Sequence, residues 1–151
     1  MVDVAVYRAL VIDGHNDLPW ALRTLYDSDL DRADLLAGLP KVHTDIPRLH
    51  SGGVTGQFWA AYVPSTLPEP EAVLATLQQI DLIHRMVDRQ PDHFMFARTA
   101  DEVEAARSAG RIASLIGVEG GHSIGSSLAV LRVLHRLGAR YLTLTHNDNT
   151  P

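Results

Sequence analysis

The sequence predicts an α/β protein with a parallel sheet, because apolar segments of strand length alternate with amphipathic helical segments along the chain. Residues 54–63 carry β-branched and aromatic side chains at both odd and even positions, which is typical of a strand covered on both faces. Residues 70–89 repeat apolar side chains every three or four positions, which is typical of a helix packed on one side. No linker or repeat interrupts this alternation. We therefore expect one domain over residues 1–151, with a sheet that is either open and doubly wound or closed as a barrel.

The first part of the chain predicts one strand, a short helical segment and a surface excursion. Residues 8–13 form an apolar run that ends at an Asp-Gly break, which indicates a buried strand followed by a sharp turn. Residues 16–26 predict a loop or a short helix, with Pro19 suited to its first turn. Residues 27–41 are rich in Asp, Leu and Gly and show no clean apolar face, so we expect them on the surface.

The remaining elements follow from caps, breakers and periodicity. They are a short helix capped at Thr44 and ended by Gly52-Gly53, a strand at 94–96, a helix from Thr99 to Ala109 with a capping box at Glu102, a strand at 111–118, a helix at 127–137 ended by Gly138, and a strand at 141–144.

Composition narrows the classes of function. The chain has 151 residues, of which 46% are apolar, which is enough for a sizeable core. The net charge is −5, so nothing indicates a nucleic acid partner. There is no cysteine, which excludes disulfides and thiolate ligands and leaves histidine and carboxylate as the strong metal ligands. No run is long and apolar enough to span a bilayer and no leader is recognisable, so we expect a cytoplasmic protein that is not attached to a membrane.

Metal-ligating residues follow three of the predicted strands. His15 and Asp17 come after the first strand, Glu119 directly follows the strand at 111–118, and His146 follows the last strand. The carboxyl ends of parallel strands share one rim, so these side chains are expected to meet there. Glu119 is the most informative of them, because an unpaired carboxylate at a buried rim costs several kcal/mol. Taken singly, a His-x-Asp pair is common by chance, and Glu119 could cap a helix or pair with an arginine.

Other chemistries have weaker support. Neither a dinucleotide-binding nor a P-loop glycine pattern is present, and Ser123 lacks both a G-x-S-x-G setting and an assignable base. His122 either supports a metal ligand or bonds within its loop. Four aromatic residues could wall a pocket, although core packing is the simpler interpretation of each one. They are Trp20, Phe58, Trp59 and Tyr62.

Four blocks of the sequence together resemble the membrane dipeptidase (renal dipeptidase) family of zinc peptidases. They are Asp13-Gly14-His15-Asn16-Asp17-Leu18-Pro19-Trp20, Gly53-Val54-Thr55-Gly56-Gln57-Phe58-Trp59, Ile116-Gly117-Val118-Glu119-Gly120-Gly121-His122-Ser123 and the segment from Arg140 to Pro151. The blocks occur in the family's order and extend over nearly the whole chain.

The resemblance implies a fold, a cofactor and a reaction. The fold is the N-terminal half of a metal-dependent hydrolase (β/α)8 TIM barrel with two zinc ions. By residue matching, His15 and Asp17 bind one zinc, Glu119 bridges both, and His146 binds substrate and stabilises the oxyanion; Trp20 is assigned to substrate binding. The implied reaction is hydrolysis of a dipeptide by a metal-bridging hydroxide. Members of the family commonly accept dipeptides with a C-terminal D-residue, so the implied substrates include these.

Members of that family are more than twice this length, and the two histidines of their second zinc lie on strands that follow this sequence. We therefore expect an N-terminal fragment that binds at most one zinc and is inactive alone, or a short product that self-associates as a homo-oligomer. A noncatalytic fragment or binding module is the alternative. Another metal hydrolase of the barrel superfamily, such as a deaminase or lactonase, fits less well because those enzymes usually begin with His-x-His.

Overall fold

The computed structural model describes residues 11–150, which form a five-stranded parallel sheet with helices packed against it. The elements in chain order are β1 (Val11–Asn16), α1 (Leu18–Tyr26), α2 (Ile46–Ser51), β2 (Val54–Tyr62), α3 (Glu69–Arg89), β3 (Phe94–Phe96), α4 (Ala100–Ser108), β4 (Ile112–Glu119), a 3-10 turn at Gly121–Ile124, α5 (Leu128–Arg136) and β5 (Ala139–Thr143). The predicted alternation of parallel strands and helices is confirmed.

The sheet is centred on β4, which is buried along its whole length. β1 pairs with β2, and β2 pairs with β4. The opposite edge of β4 is shared by two strands: β3 pairs with its first residues, where Phe96 faces Ser114, and β5 pairs with its last residues, where Thr143 faces Glu119. Because β3 has only three residues, the later residues of β4 are left to pair with β5 along the same edge.

The two faces of the sheet have different neighbours. Along β4, Ile112, Ile116 and Val118 point into the main hydrophobic core, which also contains Trp59 of β2 and buried side chains of α1, α3 and α5. The alternate residues Ala113 and Leu115 pack with α4 in a smaller cluster on the opposite face. Since side chains alternate along a strand, Gly117 and Glu119 continue this second face toward the carboxyl end. The longest helix, α3, has 21 residues. No helix within residues 11–150 is both long and apolar enough to cross a bilayer.

Three local predictions need correction. Residues 8–10 of the predicted first strand lie outside the described residues, and the strand continues past the Asp-Gly break to Asn16. Its pairing with β2 is irregular at this point, which accommodates the turn-prone pair within the strand. The described part of this strand is not buried as predicted, because it lies at an edge of the sheet, where Val11 and Ile12 are exposed. The short helix is capped by Asp45 instead of Thr44. The segment 27–41 is irregular as expected, but it is not purely superficial, because four of its apolar side chains are buried: Leu30, Ala33, Leu35 and Leu39.

The carboxylate of Asp45 ties this segment to α2. Its Oδ1 atom accepts a hydrogen bond from the backbone N–H of Arg48 at 2.9 Å. Its Oδ2 atom accepts hydrogen bonds from the backbone N–H of Leu39 at 3.0 Å and from two guanidinium nitrogens of Arg48 at 2.9 and 2.6 Å. The hydrogen bonds from Arg48 are the main reason that the pKa of Asp45 falls to about 2, while burial opposes the shift. The apolar side chains of the segment are thereby held against the core.

We expect Asp45→Asn to lower the free energy of unfolding by about 2 kcal/mol at neutral pH, because the buried carboxylate, with its hydrogen bonds from Arg48 and Leu39, is replaced by a neutral amide. The folded-state pKa lies below the unfolded value of about 4, so this stabilisation is present above pH 4 and disappears as the pH falls toward 2. Denaturant unfolding of wild type and variant over a pH series tests this. Asp92→Asn, at an exposed carboxylate, is the control. A loss that does not diminish on acidification would contradict the assignment.

Candidate metal centre

Glu119, the last residue of β4, forms the floor of the site. Its side chain is 11% exposed, and its two carboxylate oxygens face two different imidazoles. Oε2 lies 3.5 Å from Nε2 of His15, and Oε1 lies 3.3 Å from Nε2 of His146. Within residues 11–150, no lysine or arginine forms an ion pair with this carboxylate. A nearly buried carboxylate in these surroundings favours a cation as its partner.

His15 and Asp17 approach Glu119 from the end of β1. The Nε2 atom of His15 lies 3.3 Å from Oδ1 of Asp17, and one ligating atom from each of the three residues lies within 4.8 Å of the other two. β1 and β4 are separated by β2, so the sheet must curve to bring their carboxyl ends together. One imidazole and two carboxylates are a donor set that divalent zinc accepts. The three predicted metal ligands therefore fit a metal ion by composition and by convergence.

His146 joins the same group from the segment after β5. Besides its contact with Glu119, its ring packs edge-on against Tyr62, with centroids 5.2 Å apart. Tyr62 in turn packs edge-on against Trp20 of α1, with centroids 5.1 Å apart. The three aromatic side chains thus form a continuous wall beside the carboxylate. Trp20 adjoins the site through Tyr62, and its role in binding substrate stays a prediction, as does that of His146.

A hydrogen-bond network behind β1 fixes the backbone that carries His15. One carboxylate oxygen of Asp13 accepts from the backbone N–H of His15 at 3.2 Å, and the other accepts from Nε2 of Gln57 at 2.9 Å. Gln57 is fully buried, and its Oε1 atom accepts a hydrogen bond from the side chain of Asn16 at 3.4 Å. Asn16 also donates to Oγ1 of Thr44 at 3.0 Å. β2 therefore positions β1 through side chains as well as through the backbone ladder.

Tyr141 of β5, like Gln57, supports the site although the sequence predicted no role for it. Its hydroxyl lies 3.2 Å from Nδ1 of His15 and 3.1 Å from the carbonyl oxygen of Gly14. Burial raises the pKa of Tyr141, and the negative charges of Glu119, Asp17 and Asp13 raise it further, so the phenol remains protonated at neutral pH. Tyr141 and Gln57 lie within two of the sequence blocks that resemble the family, but neither residue type indicates a metal site. Only the parity of each strand position could have placed them near the site.

The loop after Glu119 is held by His122, which lies outside the group of metal ligands. Its buried ring donates from Nε2 to the carbonyl oxygen of Val63 at 2.9 Å, which joins the ends of β4 and β2. Gly120 has φ of +109°, and a Cβ there would lie 2.2 Å from the His122 ring. Neither of the two roles considered for His122 is the one observed, because its hydrogen bond crosses to Val63 and does not stay within its loop. Trp59 and Phe58 are core residues, as their simpler interpretation predicts.

A cavity of about 380 Å³ opens beside His15 and Asp17. His15 and Asp17 form one wall, apolar residues of α1 form another, and the segment 41–44 closes the third side. The volume is sufficient for a side chain of a small peptide. The rim thus combines a convergent metal-ligand set, an aromatic wall and an adjoining cavity.

The sequence matches the family described as Membrane dipeptidase (Peptidase family M19) over residues 3–151. It is 50% identical over 150 residues to Dipeptidase ataJ of Aspergillus terreus, covering 94% of this chain and 36% of that protein. It is 44% identical over 141 residues to Dipeptidase 3 of Mus musculus, covering 93% of this chain and 28% of that protein. The chain therefore spans about a third of the length of these curated relatives.

Two solved structures share the fold. The dipeptidase AC, a metallo peptidase of the same family, superposes with a TM-score of 0.79 at 31% identity and covers 91% of this chain and 43% of its own. A metallo peptidase from Rhodobacter sphaeroides, solved with a phosphinate mimic of the dipeptide L-Ala-D-Ala, superposes with a TM-score of 0.81 at 27% identity and covers 93% and 46%. These chains have a TIM-barrel-type fold, about half of which is spanned here, as the sequence resemblance implies. The chain belongs to the membrane dipeptidase family, peptidase family M19.

Proposed function

We propose that this chain carries the first metal-binding half of a zinc-dependent dipeptidase site. The observation that carries the proposal is the convergence of His15, Asp17 and Glu119, whose ligating atoms lie within 4.8 Å of one another. The second support is the burial of Glu119 beside two imidazoles. Membership of a metallopeptidase family favours a metal over a purely structural ion-pair network.

The three residues would hold zinc, with His15 offering a ring nitrogen and Asp17 and Glu119 offering carboxylate oxygens. When bound, zinc supplies a Lewis acid and lowers the pKa of water in the site, which is the chemistry that amide hydrolysis requires. Glu119 would offer both carboxylate oxygens, because Oε2 faces His15 and Oε1 faces His146. This arrangement supports the bridging role that the family resemblance assigns to it.

His146 and the aromatic wall would act on the substrate. An N–H of the His146 imidazole, held against the ring of Tyr62, can donate a hydrogen bond to a carbonyl oxygen that gains negative charge. Trp20 and Tyr62 would exclude water from one side of the peptide. The Rhodobacter sphaeroides relative was solved with a mimic of L-Ala-D-Ala, which supports a dipeptide with a C-terminal D-residue as the substrate class.

We expect the wild-type chain to bind one Zn²⁺ per molecule in a calorimetric titration. The described residues 11–150 contain a single group of three or more metal-ligating side chains. Glu119→Gln should weaken this binding at least about 100-fold, because the amide keeps the shape of the side chain but removes its charge and most of its ligand strength.

Glu71→Gln is the matched control, because it removes an exposed carboxylate from α3 far along the chain from the ligands. It should bind Zn²⁺ as the wild type does. Equal affinity in wild type and Glu119→Gln, or no uptake by the wild type, would contradict the proposed metal site and favour a noncatalytic binding module.

We further expect the purified 151-residue chain, supplied with Zn²⁺, to show no measurable hydrolysis of Gly-D-Ala. The described residues provide one metal-ligand group, whereas the family resemblance implies a pair of zinc ions. Chromatographic detection of released D-alanine tests this. Turnover by the wild type that disappears in Glu119→Gln would show that this chain is catalytically sufficient, contrary to the expectation.

A further inference from the structure

The hydroxyl of Tyr141 links the two ends of the described sheet. Tyr141 belongs to β5, which pairs with β4, whereas the atoms that its hydroxyl contacts belong to β1, on the far side of β2. These atoms are Nδ1 of His15, at 3.2 Å, and the carbonyl oxygen of Gly14, at 3.1 Å. The side chain therefore spans the curved face of the sheet and ends on the residue that offers Nε2 to the metal-ligand group.

Both contacts of the Tyr141 hydroxyl are hydrogen bonds at the same time in only one arrangement of protons. In that arrangement the single phenolic hydrogen is directed to the carbonyl oxygen of Gly14, which only accepts. The phenolic oxygen is then left to accept, and the group in position to donate to it is an N–H at Nδ1 of His15. With the proton held at Nδ1, the neutral ring presents the lone pair of Nε2 toward Asp17 and Glu119.

The sheet is shaped to admit the Tyr141 ring. Tyr141 lies in register with Gly117 of β4, and a Cβ at Gly117 would stand 1.9 Å from Cζ of Tyr141 and 2.3 Å from its hydroxyl oxygen. On β2, Phe58 packs against the same ring with centroids 5.3 Å apart. The missing side chain at Gly117 thus creates the slot through which Tyr141 reaches β1.

We infer that Tyr141 is a positioning residue for His15, fixing the ring orientation and the Nδ1–H tautomer so that Nε2 is available to a metal. The inference rests on the proposed metal site. Groups that hold the second nitrogen of a ligating histidine typically change metal affinity by about 10- to 100-fold when removed. Gly117 contributes to the same positioning, because its lack of a side chain leaves the space that Tyr141 occupies.

The test compares wild type, Tyr141→Phe and the control Tyr26→Phe, which removes a phenolic oxygen from a partly buried tyrosine of α1. The tautomer of His15 is measured first, without metal, from the ¹⁵N shifts of its ring at alkaline pH, where the imidazole is neutral. We expect Nδ1–H in wild type and in Tyr26→Phe. In Tyr141→Phe the proton should move to Nε2, which faces the two carboxylates.

Calorimetric titration with Zn²⁺ alone is the second measurement. Tyr141→Phe should bind about 10- to 100-fold more weakly than wild type, while its unfolding midpoint stays close to that of Tyr26→Phe. Gly117→Ala should shift the tautomer and the affinity in the same direction, because the added methyl group displaces the Tyr141 ring. The unfolding midpoints of Tyr141→Phe and Tyr26→Phe separate loss of the hydroxyl from loss of folding.

The outcomes distinguish this inference from the proposal on which it rests. An unchanged His15 tautomer, or an unchanged Zn²⁺ affinity, in Tyr141→Phe overturns the role of Tyr141 and leaves the metal site standing. Absence of Zn²⁺ binding by the wild type overturns both. A tautomer shift together with weaker binding supports the positioning role.

Discussion

The site depends on a carboxylate at the end of a buried strand. β4 is buried along all eight residues, and its last residue is Glu119. The desolvation of this group is offset only by polar atoms brought in from other elements. β1 supplies His15, the segment after β5 supplies His146, and Tyr62 of β2 supports His146. The curvature of the sheet and the path of three chain segments thus bring these side chains to one nearly buried carboxylate.

The sequence predicted the elements well because their signals are local. Caps, glycine breaks and apolar periodicity located α3, α4, β3 and the two longest strands to within a few residues. The convergence of the candidate metal ligands was also predictable, since each follows an apolar run and parallel strands bring such positions to one edge. Knowledge of the family then ordered the separate motifs into one site.

What the sequence could not predict are contacts that cross the sheet. The link from Tyr141 to His15 joins residues 126 positions apart, and the Gln57 bond to Asp13 joins residues 44 apart. Both depend on strand order and curvature, which periodicity does not encode. The burial of Leu35 and Leu39 was missed for a related reason: the segment has no regular period, and its position is set by the contact between Asp45 and Arg48.

The register of β4 determines both which side chains pack in the main core and which reach the site. Glu119 pairs with Tyr62 on one side and Thr143 on the other, on the face that also carries Gly117 and Tyr141. A shift of one residue would turn Glu119 into the main core and bring Val118 to the rim, because side chains alternate along a strand. It would also replace the open position opposite Tyr141 by a side chain. The large buried residues Ile116 and Val118 oppose that shift, so the same hydrophobic packing that stabilises β4 directs its carboxylate to His15 and His146.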